Sequence, residues 1–296
     1  LFLVIGTGSV YFLVVALKLI SAEFGWPRAI PSFAYSLQYF GAGIGGIYMG
    51  YLLDKKGMGI PAVIAATMIG TGGLLTSVVT NQWQLYFIYG VIMGFLGRAS
   101  LFSPLMANIT RWFDHKKSTA AGILGSGQAL SGALWPPIFA YFNTTAGWRE
   151  TAFWYGVFAL ATMLPLVLIL RMRPPEPDPA NAPAKKPGAA SERLPYQPVV
   201  APRVMQTTLA IASIGCCVAM SLPLAHVVSH VSDLGHHPAR GAEILSLMLA
   251  CAAMSSFFGV GYFGNRFGGL GAIFIFSTAQ AVFLAVLIFV ENLAGL

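Results

Sequence analysis

Charged residues are scarce in this sequence. Only 9% of its 296 residues are charged, whereas 56% are apolar and the mean hydropathy is +0.72. A soluble domain carries about 25% charged residues because its surface must be polar. The 17 basic and 10 acidic side chains cannot cover so much apolar chain, so we expect a protein embedded in a lipid bilayer. The basic residues form no compact face, which argues against nucleic-acid binding.

Cysteine is also rare. Cys216, Cys217 and Cys251 all lie in apolar stretches and provide neither a disulfide framework nor a metal ligand set. They are predicted to be buried thiols that behave as small apolar residues. No cofactor motif is present, because the glycine-rich stretches follow no strand and precede no Gly-Lys-Ser or Gly-Lys-Thr sequence.

Long apolar runs are the dominant feature. A helix needs about 20 apolar residues to cross a bilayer, and only helices and closed barrels satisfy their backbone there. Nine runs meet this length, near 1–20, 32–53, 60–80, 84–110, 119–143, 151–170, 205–229, 241–264 and 269–291. The fold class is therefore predicted to be all-α, a polytopic membrane helical bundle.

The basic residues between the runs predict the orientation. Twelve of the 17 fall on one side of the nine crossings, and only Arg28, Arg149 and Arg240 fall on the other. Because short positive loops stay in the cytoplasm, the side with Lys55 is predicted to be cytoplasmic, together with the residue 1 end. We expect a plasma membrane, the bacterial inner membrane.

Proline divides the chain into two parts. Nine of the 18 prolines lie in residues 173–204, a composition typical of an extended linker that buries no core. The predicted organisation is a six-helix N-terminal bundle at 1–172, a cytoplasmic linker at 173–204 and a partial C-terminal bundle of three helices at 205–296.

The two parts share a repeated motif after the second and the eighth span. Its residues are Gly50, Asp54, Lys55 and Gly57 in the first copy and Gly261, Asn265, Arg266 and Gly268 in the second. The glycines and the acid or amide are each separated by 211 residues, which indicates duplicated halves. The glycines permit a tight turn and close helix approach, and Asp54 can face a helix N-terminus.

This motif, G-x-x-x-D-[RK]-x-G, resembles the cytoplasmic loop signature of the major facilitator superfamily. The resemblance implies that its residues form a cytoplasmic gate, which Asn265 weakens by lacking the charge of Asp54. The alternative is an ordinary positively charged turn. The superfamily has twelve spans, so the resemblance also implies a truncated fold that lacks the last three.

Several short stretches resemble a narrower branch of that superfamily, the monocarboxylate transporters and oxalate:formate antiporters. They are the sequences at 23–29, 111–113, 147–149, 222–226 and 232–235. The resemblance implies secondary transport of a small organic anion by alternating access, with a proton or by exchange. It also implies a cavity lined by the first, fourth, seventh and tenth spans.

Arg98 is the strongest candidate for binding that anion. It lies thirteen residues before Arg111, which is about 20 Å along a helix and places it near the bilayer midplane. A cation at that depth needs a polar cavity or an anionic partner. A guanidinium grips a carboxylate with two hydrogen bonds, although a structural bond to neighbouring carbonyls is the alternative.

Lys18 and His226 are further candidates for substrate binding. Lys18 lies near the outer end of the first span, where it either reaches the lipid headgroups or attracts anions. His226 and His230 lie one helical turn apart, and a histidine can take up a proton near physiological pH. His226 is a candidate for proton coupling, with a role as an ordinary interfacial histidine as the alternative, and we expect an interfacial position for His230. Further ligands are few, so no metal site is expected.

Three other functions compete with carboxylate transport. One is transport of another small solute, as in a drug exporter or a sugar or nutrient importer. A second is a membrane receptor that does not transport. The third is an intramembrane enzyme, which the near absence of acids within the spans argues against.

Overall fold

The computed structural model describes residues 1–112, 117–172, 202–233, 235, 238–259, 271, 274–283, 285 and 286. Its α-helices are α1 (Phe2–Phe24), α2 (Ala29–Lys56), α3 (Gly59–Ser77), α4 (Gln82–Phe87), α5 (Phe102–Trp112), α6 (Lys117–Thr145), α7 (Trp148–Leu170), α8 (Pro202–Asp233) and α9 (Pro238–Met254). A π-helix, Ile88–Gly97, and a 3-10 turn, Arg98–Ser100, join α4 to α5, and a second π-helix, Ser255–Gly259, follows α9. This part of the chain contains no strand, which confirms the all-α fold class.

Five of the helical segments are long and apolar enough to cross a membrane. They are Phe2–Phe24, Gly59–Ser77, Gln82–Ile109, Trp148–Leu170 and Ala210–Val228. The predicted spans at 32–53 and 119–143 correspond to α2 and α6, which are 28 and 29 residues long but less apolar, being rich in glycine with tyrosine or serine. The predicted span at 241–264 begins in α9, and a shorter apolar helix, Phe274–Phe283, lies within 269–291. The count of nine crossings therefore stays a prediction.

α1 is the central helix of the part before the linker. Sixteen of its 23 residues are buried, and it packs against α2, α6 and α7. The Val4 carbonyl accepts hydrogen bonds from Ser131 Oγ at 2.8 Å and from Trp135 Nε1 at 2.9 Å. The Ile5 carbonyl accepts one from Tyr155 OH at 2.8 Å. These bonds tie α1 to α6 and α7 inside the bundle.

The glycines of α2 bring it into backbone contact with the π-helix. A Cβ atom on Gly41 would overlap the carbonyl oxygen of Gly90, and one on Gly45 would overlap that of Phe95. Close helix packing, which the small residues of this span predict, is therefore present at Gly41 and Gly45. It is absent at Gly50, where a Cβ would meet no atom within 4 Å of the described part of the chain. Gly50, a glycine of the repeated motif, therefore does not bring α2 close to another described helix.

The cysteines differ from the prediction. The thiols of Cys217 and Cys251 are exposed rather than buried, and the side chain of Cys216 lies outside the described residues. Apolar side chains of α8 are exposed beside them, including Ile211 and Ile214 at 65% each. Lipid tails are as apolar as these side chains, so an outward-facing apolar residue is not disfavoured in a bilayer as it is in water.

The two ends of the bundle differ in their charged residues. We call the end of the bundle where α2 begins, beside Arg28, the outer end. α2 ends about 42 Å away at Lys56, and we call that end of the bundle the inner end. At the inner end, Lys56, Arg111 and Arg171 surround one cavity, so the ends of α2, α5 and α7 meet there. This arrangement matches the side that the positive-inside rule predicts to be cytoplasmic.

Replacing Gly45 with alanine is expected to destabilise the protein. The added methyl group would collide with the Phe95 carbonyl, which cannot move without separating α2 from the π-helix. Overpacking of this kind costs about 1–3 kcal/mol. Gly43→Ala is the matched control, because a Cβ there meets no described atom within 4 Å and alanine favours a helix by about 1 kcal/mol. Thermal unfolding in detergent measures both variants, and equal melting temperatures would contradict the close contact.

Candidate functional site

Arg98 lies at the start of the 3-10 turn that follows the π-helix, where a helix of irregular pitch redirects the chain. The side chain is half-buried, and its guanidinium carbon lies 4.3 Å from the centroid of the Tyr39 ring. Such a contact stabilises a cation on an aromatic face. Among the described residues, no carboxylate forms an ion pair with Arg98. Its hydrogen-bond donors are therefore not committed to an acid of the described chain.

Tyrosine hydroxyl groups surround this cation. Tyr35 OH donates a hydrogen bond to Tyr39 OH at 3.3 Å, and the two rings lie 5.0 Å apart. The charge of Arg98 also acts on the hydroxyl groups of Tyr11 and Tyr35. The result is a cluster of one guanidinium and three phenols. The guanidinium and the hydroxyl groups of Tyr11 and Tyr39 can donate hydrogen bonds to an anion, whereas the one hydroxyl hydrogen of Tyr35 is already donated to Tyr39.

A cavity of about 210 Å³ lies between α1, α2 and α8 on the outer side of this cluster. Its polar lining residues are Ser32, Tyr35, Ser36, Ser221 and His226. Arg98 does not line it, but Tyr35 belongs both to the cavity wall and to the arginine cluster. The structure thus places the sequence candidate His226 at the cavity, and it connects Arg98 to the cavity through Tyr39 and Tyr35.

A second cavity, of about 490 Å³, continues toward the outer end. It shares Leu17, Ser32 and His226 with the first cavity, and it adds Arg28 and Asp233. His230 also lines it. The two cavities together form a route from the outer end of the bundle to Tyr35.

Asp233 joins two cations at the mouth of that route. Lys18 Nζ donates to Asp233 Oδ1 at 3.0 Å, and Arg28 donates to both carboxylate oxygens at 3.0 and 3.3 Å. Hydrogen bonds from Arg28 and then from Lys18 hold the pKa of Asp233 down at about 2. Lys18 therefore contacts a carboxylate of α8 instead of only reaching for the headgroups. Sequence reasoning missed this partner, which lies 215 residues away.

A second outer cluster joins two motifs that the sequence analysis singled out separately. Arg149 donates to Glu23 Oε1 at 2.9 Å and to the Ser77 carbonyl at 2.8 Å, and Trp148 Nε1 also donates to Glu23. The Arg149 guanidinium also lies over the Phe24 ring. This cluster fastens the end of α1 to the start of α7. The sequence contains one signal for this pairing: Glu23 and Arg149 have opposite charges and are predicted to lie on the same side of the membrane.

At the inner end, the first copy of the repeated motif forms an ion pair and a turn. Asp54 Oδ1 lies 2.7 Å from Arg111 Nη2, so its partner is a side chain of α5 instead of a helix N-terminus. Gly57 has a φ of +74°, which favours glycine, and it ends α2. Lys55 Nζ lies 4.6 Å from the centroid of the Tyr51 ring. The second copy, Gly261, Asn265, Arg266 and Gly268, lies outside the described residues.

Acidic, histidine and cysteine side chains do not gather into a metal site in the described ranges. His226 and His230 share the outer cavity with Asp233, but this carboxylate already binds two cations. The arrangement favours the binding of an organic anion by cations and hydroxyl groups.

Comparison with known proteins identifies the family of the chain. The sequence profile of the Major Facilitator Superfamily matches residues 1–295. Monocarboxylate transporter 13 of Bos taurus is 28% identical over 288 residues, covering 93% of this chain and 61% of that protein. The MFS-type transporter pynF of Aspergillus niger is 34% identical over 142 residues, covering 48% of this chain and 32% of that protein. The agnestins efflux protein AgnL12 of Paecilomyces divaricatus is 24% identical over 231 residues, covering 76% of this chain and 49% of that protein.

The chain spans about three-fifths of the length of the monocarboxylate transporter relative and no more than half of these two fungal ones. The profile covers nearly every residue of the chain, and its apolar helices are those of an integral membrane protein. The chain therefore belongs to the Major Facilitator Superfamily, whose members are membrane transporters rather than enzymes.

Proposed function

We propose that this chain carries a small organic anion, such as a monocarboxylate, across the membrane by alternating access, coupled to a proton or to exchange of anions. The observation that carries the proposal is the Arg98 guanidinium, held on the Tyr39 ring with no carboxylate partner among the described residues. A cation within the membrane costs from about 3 to over 10 kcal/mol unless it faces water or an anion. A substrate carboxylate would remove that cost through two parallel hydrogen bonds.

Each candidate residue has a role in this proposal. Arg98 binds the carboxylate, and the hydroxyl groups of Tyr35 and Tyr39 orient it. His226, on the wall of the outer route, takes up the coupled proton. Lys18 attracts the anion to the mouth of the route. The similarity to monocarboxylate transporter 13 supports the substrate class.

Alternating access needs gates at both ends. We propose that Asp233 closes the outer end by holding α8 against α1 and α2 through Lys18 and Arg28. At the inner end, Gly50, Asp54, Lys55 and Gly57 are proposed to act with the second copy of the motif. The proposed moving parts are the bundles at 1–172 and 205–296, joined by the linker at 173–204.

The proposed location is a plasma membrane, with the residue 1 end and the linker in the cytoplasm. The relatives named above come from a mammal and from fungi, so they do not support the bacterial membrane that the sequence analysis expected. A second candidate function, export of another organic compound, is favoured by the similarity to the agnestins efflux protein. Two measurements separate the two functions. One compares the uptake of formate, lactate and oxalate with the uptake of a sugar, and the other measures export from loaded vesicles.

Replacing Arg98 with glutamine is expected to raise the KM for carboxylate uptake about 10- to 100-fold, in the protein produced from the intact gene. Hydrogen bonds to a charged group contribute about 1.5–3 kcal/mol, and each 1.4 kcal/mol is a factor of ten. Arg240→Gln removes the same charge from an exposed pair with Glu243 and is expected to leave uptake unchanged. Unaltered carboxylate uptake in a folded Arg98→Gln protein would show that the site is assigned wrongly.

Replacing His226 with glutamine is expected to flatten the dependence of uptake on pH between about pH 5 and 8, the range in which histidine changes charge. His230→Gln is the control, because His230 lines only the outer of the two cavities. Initial uptake rates in vesicles at a series of pH values measure the effect. If the pH dependence of uptake persists in His226→Gln and is lost in His230→Gln, the proton would be taken up at His230 instead of His226.

Replacing Asp233 with asparagine is expected to open the outer route. A cysteine placed at Ser221, in a chain whose three native cysteines are replaced with serine, should then react faster with a maleimide that cannot cross the membrane. Glu243→Gln is the control, because its pair with Arg240 lies within α9. A reaction rate that Asp233→Asn leaves unchanged argues against the gate.

The pKa of Asp233 gives the gate a defined pH dependence. Because that pKa is lowered to about 2, the contribution of the ion pairs is complete above the ordinary aspartate pKa of about 3.9 and is lost only as the pH falls toward 2. The thiolate fraction of Ser221→Cys rises with pH in every variant, so the quantity to compare is the ratio of its labelling rates with and without Asp233→Asn. This ratio should be constant between about pH 5 and 8. A ratio that changes in that range would assign the gate to the histidines instead.

A further inference from the structure

An inner cavity of about 410 Å³ lies outside the proposed transport route. It opens where α2 ends, where α3 begins, and where α5 and α7 end. Its cationic lining residues are Lys56, Arg111 and Arg171. None of the three belongs to the Arg98 cluster or to the outer route.

The cavity carries an excess of positive charge. Arg111 pairs with Asp54 through Nη2, and no other carboxylate of the described residues pairs with its remaining guanidinium donors. Neither Lys56 nor Arg171 forms an ion pair with any residue that the structure describes. Three cations therefore stand against one carboxylate, and that carboxylate is not itself a lining residue.

The backbone at the start of α3 positions one of these cations. A Cβ atom on Gly59 would lie 2.8 Å from Cγ of Arg171, so the arginine stem packs where only glycine leaves room. The first turn of α3 has no acidic side chain and no side-chain cap. The N–H groups of Gly59 and Ile60 have no partner within the helix, and a helix start of this kind favours an anion.

Besides the three cations and Asn108, the wall contains apolar side chains that are open to the surroundings. Ile60, Val63 and Met172 line the cavity and are 38%, 39% and 61% exposed. A free phosphate ion gains nothing from contact with apolar side chains, whereas the acyl chain of a lipid would pack against them. Basic cavities at the cytoplasmic ends of membrane helices are suited to lipid phosphates.

We propose that this cavity binds an anionic phospholipid, with the phosphate among Lys56, Arg111 and Arg171 and the first carbons of an acyl chain along Ile60, Val63 and Met172. The bound lipid would bridge α2, α5 and α7 at the inner end. This inference does not depend on the nature of the transported solute.

The proposal is tested by measuring the binding of phosphatidylglycerol with native mass spectrometry. The protein is produced from the intact gene, delipidated and held in a neutral detergent. We expect Arg171→Gln and Lys56→Gln each to weaken binding about fivefold. Gly59→Ala is expected to weaken it similarly without removing a charge, because it displaces Arg171. Lys55→Gln is the matched control, since this neighbouring cation lies over the Tyr51 ring and does not line the cavity.

Three results would overturn the proposal. Phosphatidylcholine has the same phosphate but no net charge, so equally tight binding of phosphatidylcholine and phosphatidylglycerol would show that the cavity does not select an anionic lipid. If Lys55→Gln weakens phosphatidylglycerol binding as much as Arg171→Gln does, the weaker binding would be due to the net charge of the protein and not to this cavity. Millimolar inorganic phosphate that displaces phosphatidylglycerol would assign the cavity to a free phosphate. Melting temperatures without lipid, matched between variants and parent, establish that the losses are not due to unfolding.

Discussion

Polar groups inside a bilayer have no water to bind, so the interior of this bundle depends on partners that the protein itself supplies. The side-chain donors of Ser131, Trp135 and Tyr155 meet this requirement, because they bind the carbonyls of Val4 and Ile5 in α1. Glycine makes such contacts possible: a Cβ on Gly8 would lie 2.9 Å from the indole nitrogen of Trp135. These hydrogen bonds therefore satisfy the side-chain donors and hold the helices together.

Arg98 is subject to the same requirement, and the protein meets it only in part. The Tyr39 ring stabilises the charge but accepts none of the guanidinium hydrogen bonds along its edge. The other cations near the transport route differ, since Arg149 has Glu23 and Ser77, and Lys18 and Arg28 share Asp233. A partly satisfied cation beside three phenols is the chemical reason to expect a bound anion there, and it does not depend on the identity of any relative.

Hydropathy predicted the all-α class, and the resemblance of motifs at fixed spacing predicted the family. Hydropathy also put Arg98 within a helical segment that can span the membrane, while the resemblance implied a cavity beside the span of His226, a residue that lines a cavity in the structure. The pairing of Lys18 with Asp233 was beyond such reasoning, since a contact across 215 residues depends on how α8 lies against α1. The exposed thiols of Cys217 and Cys251 were missed because apolar surroundings predict burial in water but not in lipid.

The charged clusters of Asp54 and Asp233 connect different helices. The Asp54–Arg111 pair joins α2 to α5 at the inner end. The Asp233 cluster joins α8 to α1 and to the residue that precedes α2, so it must break whenever α8 moves away from them at the outer end. Because two cations share one carboxylate, this cluster keeps a net positive charge at the mouth of the route. In the proposed function, an arriving carboxylate would take the place of Asp233 on Lys18 or Arg28, so the binding of the proposed substrate would itself release the contact proposed to close the route.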